Sequence, residues 1–389
     1  MNESNWSPPD SLEAIKSRAW IIGAIGVVAA AIGLFTQRQQ FFQSYLVAWV
    51  FWISVSLGCL AIMMLHHLSG GAWGLMVRRI LEAASRTLPL LTILFLPILL
   101  GLEDLYLWAR PEAADDPLIQ VKASYLNPTA FAIRTLVFLA IWILLAFALS
   151  RLSWRQDETG DPALFRRMKT IAAPGLGVFC LLATFASIDW LMSLDPHWYS
   201  SIFGVYFIIG SGVAGFAFVS IMALYLSNRE PLAGRIKPKH FHDYGKLLLA
   251  FVMLWAYMGV SQLLIIWSGN LPEEVPWYLH RVQGSWKWVS IALVLLHFVL
   301  PFVLLLSRDF KRNARLLAGV SLMILLMRWV DIFWLAAPTF HHHLAGHWLD
   351  IATMAGVGGL WVGVFVSQLQ KRPLLPINDP FLEEALGND

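Results

Sequence analysis

TAFAIRTLVFLAIWILLAFALS (129–150) decides the fold, with a single charge, Arg134, in an otherwise apolar stretch. A helix that crosses the hydrocarbon core of a bilayer needs about 20 mostly apolar residues. Such a run must be helical there, because lipid offers the backbone no hydrogen-bond partner. The same kind of run recurs at roughly 17–35, 42–66, 87–108, 170–191, 200–226, 244–268, 286–306, 316–337 and 349–370. The expectation is an all-α integral membrane protein of about ten transmembrane helices.

Composition agrees. The 389 residues are 58% hydrophobic and 14% charged, with 19 Trp and 24 Phe. Soluble domains carry roughly 45–50% apolar and about 25% charged residues. No segment alternates in the manner of an outer-membrane strand. A net charge of +3, with no basic patch interleaved with aromatics, argues against a nucleic-acid partner. Cys59 and Cys180 both fall in apolar runs and read as small core residues rather than a disulfide framework. There is no CxxCH for covalent haem, and no Walker, dinucleotide-binding, Ser-His-Asp or zinc signature. The opening MNESNWSPPDSLEAIKSRAW is polar, with no cleavage site after a short apolar core, and reads as a retained tail rather than a signal peptide.

Lys and Arg orient the chain. The loops after the second, fourth, sixth and eighth runs carry Arg78, Arg79 and Arg86; Arg151, Arg155, Arg166, Arg167 and Lys169; Arg229, Arg235, Lys237, Lys239 and Lys246; and Arg308, Lys311, Arg312 and Arg315. With the terminal flanks (Lys16, Arg18, Lys371, Arg372) that side holds 21, against 5 on the other. By the positive-inside rule both termini are cytoplasmic. The opposite side carries Glu103, Asp104, Glu112, Asp115, Asp116, Asp195, Glu273 and Glu274, with Trp108, Trp198, Trp267, Trp277 and Trp348 as an interfacial belt. Residues 1–16 and 371–389 form tails around a transmembrane domain, 17–370.

A repeat is visible. Leu149-Ser150-Arg151 ends the fourth run and Leu306-Ser307-Arg308 the eighth. Asp189 precedes Pro196 as Asp331 precedes Pro338. This suggests two four-helix bundles, spans 2–5 and 6–9, in one orientation, with spans 1 and 10 outside them.

Ionisable groups within a bilayer are expensive and often mark proton or ligand paths. Arg328 and Asp331, three residues apart, share a helix face; they read either as a proton-relay or quinone-site element or as an ion pair that fixes packing. Asp189 holds the matching place in the first unit, as a proton exit or a helix-end residue, with Arg134 as a partner. His297 lies mid-span with no second mid-membrane His to complete a haem, and reads as a packing residue or part of a proton path. His66 and His67 end the second span before a glycine turn (Gly70, Gly71), as proton entry, quinone contact or helix terminator. His240, His242 and Asp243 open the seventh span as a cap or proton entry. Tyr257, Ser261 and Gln262 line a water path or bond between helices. His341, His342, His343 and His347 cluster in an outer loop, where only Asp350 is near, too sparse a set for a metal site.

HHLSGGAWG (66–74), DWLMSLDPHWYSSIFGVYF (189–207), KPKHFHDYGKLLLAFVMLWAYMGVSQLLIIWSGNLPEEVPWY (237–278) and HFVLPFVLLLSRDFKR (297–312) resemble the F subunit of bacterial alternative complex III, of the polysulfide-reductase membrane-subunit type. The resemblance covers most of the chain. It implies ten helices in two four-helix bundles within a respiratory quinol:cytochrome c or quinol:electron-acceptor oxidoreductase. The implied partners are a related ten-helix quinol-binding subunit, a multihaem cytochrome c and an iron–sulfur subunit, besides lipid. They would hold the haem c and iron–sulfur clusters. This chain would carry no bound cofactor of its own, a quinone excepted, and would supply proton half-channels or a quinone-side surface through His66, His67, Asp189, Arg328 and Asp331, with no catalytic residue. Two other functions fit the sequence: a quinone-binding anchor for a molybdopterin or iron–sulfur reductase, and a secondary transporter.

Overall fold

The computed structural model describes residues 6–387, which are about 80% helical and contain no strand. Ten helices are long and apolar enough to cross a membrane: α1 (Ser11–Thr36), α2 (Arg38–Ser69), α3 (Arg78–Leu100), α4 (Pro128–Thr159), α5 (Pro162–Leu194), α6 (Phe203–Ser227), α7 (Pro238–Gly269), α8 (Trp286–Leu306), α9 (Ala314–Thr339) and α10 (Trp348–Leu369). The chain is a multi-pass membrane protein. Its helices end alternately at a basic face, where α2 stops at Ser69, and an acidic face, where α6 begins at Phe203.

α2 meets α3, α3 meets α4, α4 meets α5, and α5 returns to α2; α6, α7, α8 and α9 close a second ring in the same order. Between the bundles α2 packs on α6, α2 on α9 and α5 on α6. Exchanging α2 with α6 and α5 with α9 leaves that set unchanged, so the bundles are related by a pseudo-two-fold axis. The axis passes close to Gly58 and Gly215, which face each other across the α2–α6 contact: a Cβ at Gly215 would lie 2.8 Å from the Gly58 carbonyl carbon. Gly215 follows Gly58 by the same interval that separates Ser307 from Ser150. Asp331 follows Asp189 by a shorter one, because α4 and α5 run further out of the basic face than α8 and α9.

Apolar surface decides which helices are central. The most apolar stretch of α2 is 89% buried and that of α6 is 72%, against 22% for α7. α1 and α10 lie outside the bundles and clasp each other through small residues: a Cβ at Gly23 would meet the Leu360 nitrogen at 2.8 Å. α10 lays its other side on α2 and α3.

Two boundaries differ from the sequence reading. The third span begins at Arg78, not near residue 87, so Arg78 and Arg79 are helical, Arg86 caps that first segment, and all three are buried inside the span. Each finds a carboxylate or aromatic partner, which removes the cost that would have kept it in solvent. Pro89 and Pro97 each start a fresh helical segment of α3, a position where proline is tolerated. The first span begins at Ser11 rather than 17. Tyr257, expected to line an inner path, is 64% exposed on the outer surface of α7. The segment after α10 folds back onto the basic face, burying Leu374, Leu375, Ile377 and Leu386. The first five and last two residues of the expected tails lie outside the described residues.

Candidate functional site

The second bundle holds a fully buried polar cluster. Asp331, on α9, pairs with Arg328 one turn earlier, and neither side chain has any exposure. α6 brings Tyr206, whose hydroxyl donates to one Asp331 oxygen at 2.6 Å; α7 brings Trp255, whose indole N–H donates to the other at 3.2 Å. Gly210 makes room for the guanidinium, since a Cβ there would collide with it. α8 completes the cluster. Its stretch Leu293–Val299 winds as a π-helix, a rare form that often marks functional sites. His297 lies in that stretch, edge-on to Trp255 with ring centroids 4.3 Å apart. His297 Nδ1 and Nε2 and Arg328 Nε and Nη2 are buried without a hydrogen-bond partner among the described residues. The sequence-predicted Arg328, Asp331 and His297 are thus brought together around one tryptophan.

Tyr206 and Trp255 also line a cavity of about 350 Å³ that extends toward the acidic face between Gln262, Tyr278, Ser290 and Trp334. Gln262 donates to the Tyr278 hydroxyl at 3.0 Å and accepts from Ser200 at 2.9 Å. The Tyr278 hydroxyl hydrogen therefore remains available to a ligand. Burial pushes that hydroxyl up to about 12, so it is a donor and not a phenolate. Arg281 closes this end: its guanidinium stacks 3.6 Å over Trp277 and donates to the carbonyls of Trp334 and Leu335 near the end of α9. A cation at a helix C-terminus is favourable.

The first bundle repeats the aspartate but not its partner's origin. Asp189, wholly buried, receives two hydrogen bonds from Arg134 of α4, at 2.9 and 3.0 Å. Arg134 lies 3.7 Å over the Tyr125 ring and donates to the Tyr125 carbonyl at 2.8 Å. Tyr125 and Ser193 line a second acidic-face cavity of about 420 Å³, and Ser193 donates to the Asp189 carbonyl at 2.5 Å. Each bundle thus places one buried, arginine-paired aspartate one side chain away from a cavity on the same face.

His66 and His67 lie at the other end of α2, buried, far from either aspartate. Gly70 and Gly71 take positive φ there and turn the chain back. His66 Nε2 is 3.3 Å from Arg78, which pairs with Asp379 at 2.7 Å. Arg79 bonds Glu82 at 2.6 Å and pairs with Asp157; Trp154 donates to Glu82 at 3.1 Å. Arg86 lies 3.9 Å over Phe147 and 4.2 Å over Trp154. Two of these arginines thus meet three carboxylates, and the third lies over two aromatic rings. His66 Nδ1 and both His67 nitrogens have no hydrogen-bond partner among the described residues. Between this network and Asp189, α2 offers hydroxyl and indole bonds such as Ser56 with Thr87 and Trp361, but no titratable pair.

His240 caps α7: its Nδ1 accepts from the Lys237 N–H at 2.9 Å and its Nε2 donates to the Ala385 carbonyl at 3.0 Å, the neutral tautomer. His347 caps α10, accepting from the Leu349 N–H. Among the described residues no group of three or more His, Cys, Asp and Glu is arranged for a metal. Sequence reasoning missed Tyr206, Trp255, Glu82, Asp157 and Asp379. Glu82, Asp157 and Asp379 had a signal, carboxylates beside a basic stretch; Tyr206 and Trp255 look like any aromatic of an apolar helix.

These features define a membrane protein of two pseudo-symmetric four-helix bundles, each with a buried arginine–aspartate centre. Compared with models of known protein families and with curated proteins, the chain matches none.

Proposed function

We propose that this chain is the membrane subunit of a respiratory quinol:electron-acceptor oxidoreductase of the alternative complex III type, and that it supplies partial proton paths. The observation that carries the proposal is the pair of buried aspartates, Asp189 and Asp331, each beside an acidic-face cavity, opposite a basic-face network around His66 and His67. Buried ionisable groups in a membrane domain are expensive and typically mark such routes. Buried histidine and guanidinium nitrogens with no partner among the described residues are the places where bound water is expected to bridge. In this reading the basic face is cytoplasmic in a bacterial inner membrane, by the positive-inside rule, and protons leave near Asp331 and Asp189. The redox centres reside in partner subunits: a related ten-helix quinol-binding chain, a multihaem cytochrome c and an iron–sulfur subunit.

The test has two arms. Isolation of the native assembly should yield those companions; a chain purified alone that transports a solute would favour a secondary transporter. In the assembly, replacing Arg328→Met and Asp331→Leu together removes both charges while keeping the core packed. Turnover or proton release should then fall with assembly intact. Unchanged turnover and proton stoichiometry would remove Asp331 from the mechanism.

The second-bundle cavity favours a further reading. Its aromatic walls and the Tyr278 hydroxyl suit the ring of a quinone, consistent with a quinone-side surface or an anchor for a molybdopterin or iron–sulfur reductase. Tyr278→Phe, read by quinone occupancy, tests it.

A further inference from the structure

α9 and α10 are consecutive but barely touch, although helices joined by a short connection usually pack. Between them, and roofed by α1, runs a groove of about 660 Å³ lined by Arg18 and Ile22 of α1, Trp52 of α2, Trp329 of α9, and Met354 and Gly358 of α10. Trp329 and Ile351 also line a second cavity of about 370 Å³ that carries the groove on toward Trp348. Ile22 and Ile351 are 51% and 67% exposed, so the groove opens outward.

From these observations we infer that the groove is a phospholipid site, with the lipid phosphate on Arg18 and an acyl chain along the cleft between α9 and α10. Length, lining and charge together choose the occupant. On α10 the groove runs from Ile351 to Val362, about 16 Å at 1.5 Å per residue. That is roughly half of a hydrocarbon core of about 30 Å, the length of an acyl chain. The lining is nearly all apolar, apart from Arg18 at one end.

Charge fixes the polarity. Arg18 is exposed at the basic-face end and makes no ion pair or hydrogen bond among the described residues. Its neighbour Lys16 is already paired with Glu13 at 2.6 Å and bonded to Gln370 at 3.2 Å. An arginine matches phosphate with a bidentate fork, and its stem can lie along the apolar wall while the head reaches the interface.

Native mass spectrometry of the full chain, purified in mild detergent with whatever subunits accompany it, tests the site. Wild-type protein should retain one phospholipid per chain through delipidating washes. Arg18→Glu should lower retention about tenfold or more, the loss of a charge-assisted bond. Ala355→Trp, which fills the groove without touching the headgroup contact, should lower it as well. Equal retention in all three proteins overturns the proposal. So does a photo-crosslinker at Met354 that captures a polypeptide and not a lipid.

Discussion

Removing the Asp331 carboxylate should cost more than removing it together with Arg328. Both side chains are fully buried, so solvent does not screen the pair. In Asp331→Leu the guanidinium stays behind, and two of its nitrogens already lack a partner. The Tyr206 and Trp255 donors lose their acceptor as well. Breaking a buried pair in this way typically costs about 3–5 kcal/mol, a large share of the roughly 5–15 kcal/mol that holds a protein folded. Arg328→Met alone should cost a similar amount, leaving the carboxylate with two neutral donors. Arg328→Met with Asp331→Leu should cost less than either alone, about 2 kcal/mol, because apolar replacement of a buried pair is often neutral or stabilising while Tyr206 and Trp255 still lose their acceptor. The cycle predicts an interaction term of about 3 kcal/mol or more between neighbours. Reversible unfolding by denaturing detergent in mixed micelles, followed by tryptophan fluorescence, measures it. Single variants that each stay within about 1 kcal/mol of wild type would refute the reasoning, since the charges would then be reaching water.

Gly215→Ala places a Cβ against the Gly58 backbone and should destabilise the contact between the bundles by about 1–3 kcal/mol, seen as a lower unfolding midpoint; an unchanged midpoint would mean that the helices can separate freely. Arg134→Ala leaves Asp189 buried with its acceptors empty, and because Arg134 is partly exposed the loss should be smaller, about 2 kcal/mol, in the same assay. On the acidic face His197 bonds Asp116 at 2.7 Å, linking the loops before α4 and before α6, and this bond holds the Asp116 carboxyl below its ordinary range. A lowered carboxylate value means the link is fully present above the ordinary carboxylate range and is lost as pH falls through the lowered value; spin labels at Leu118 and Tyr199 should show a narrow distance at neutral pH that broadens only in acid, and broadening near neutrality would contradict this. Asp379→Ala removes the partner of Arg78 and should loosen the returning C-terminal segment, read as faster proteolysis after α10 with the spans intact.

The span count followed from the sequence because lipid imposes length and apolarity on each helix separately, so runs such as 129–150 and 286–306 announce themselves without knowledge of their neighbours. The two-bundle plan was legible for a related reason: a repeat leaves its imprint in recurring local patterns, as in Ser150 with Ser307 and Asp189 with Asp331. Arg328 and Asp331 could be paired on paper because both sit on one helix, a turn apart.

Partners from other helices depend on which faces meet, and that is a tertiary matter. Periodicity does not single out Tyr206 among the apolar residues of α6, yet it is the hydroxyl that reaches Asp331. Arg78 and Arg79 read as loop charges because a charge next to an apolar run is normally solvated; only the arrival of Asp157 from α4 and Asp379 from the far end of the chain lets them be buried. The groove between α9 and α10 is likewise a property of packing alone, since nothing local to either helix says that the two will stay apart. Local solvent preference determined how many helices cross; shape and charge complementarity among distant segments decided what they enclose.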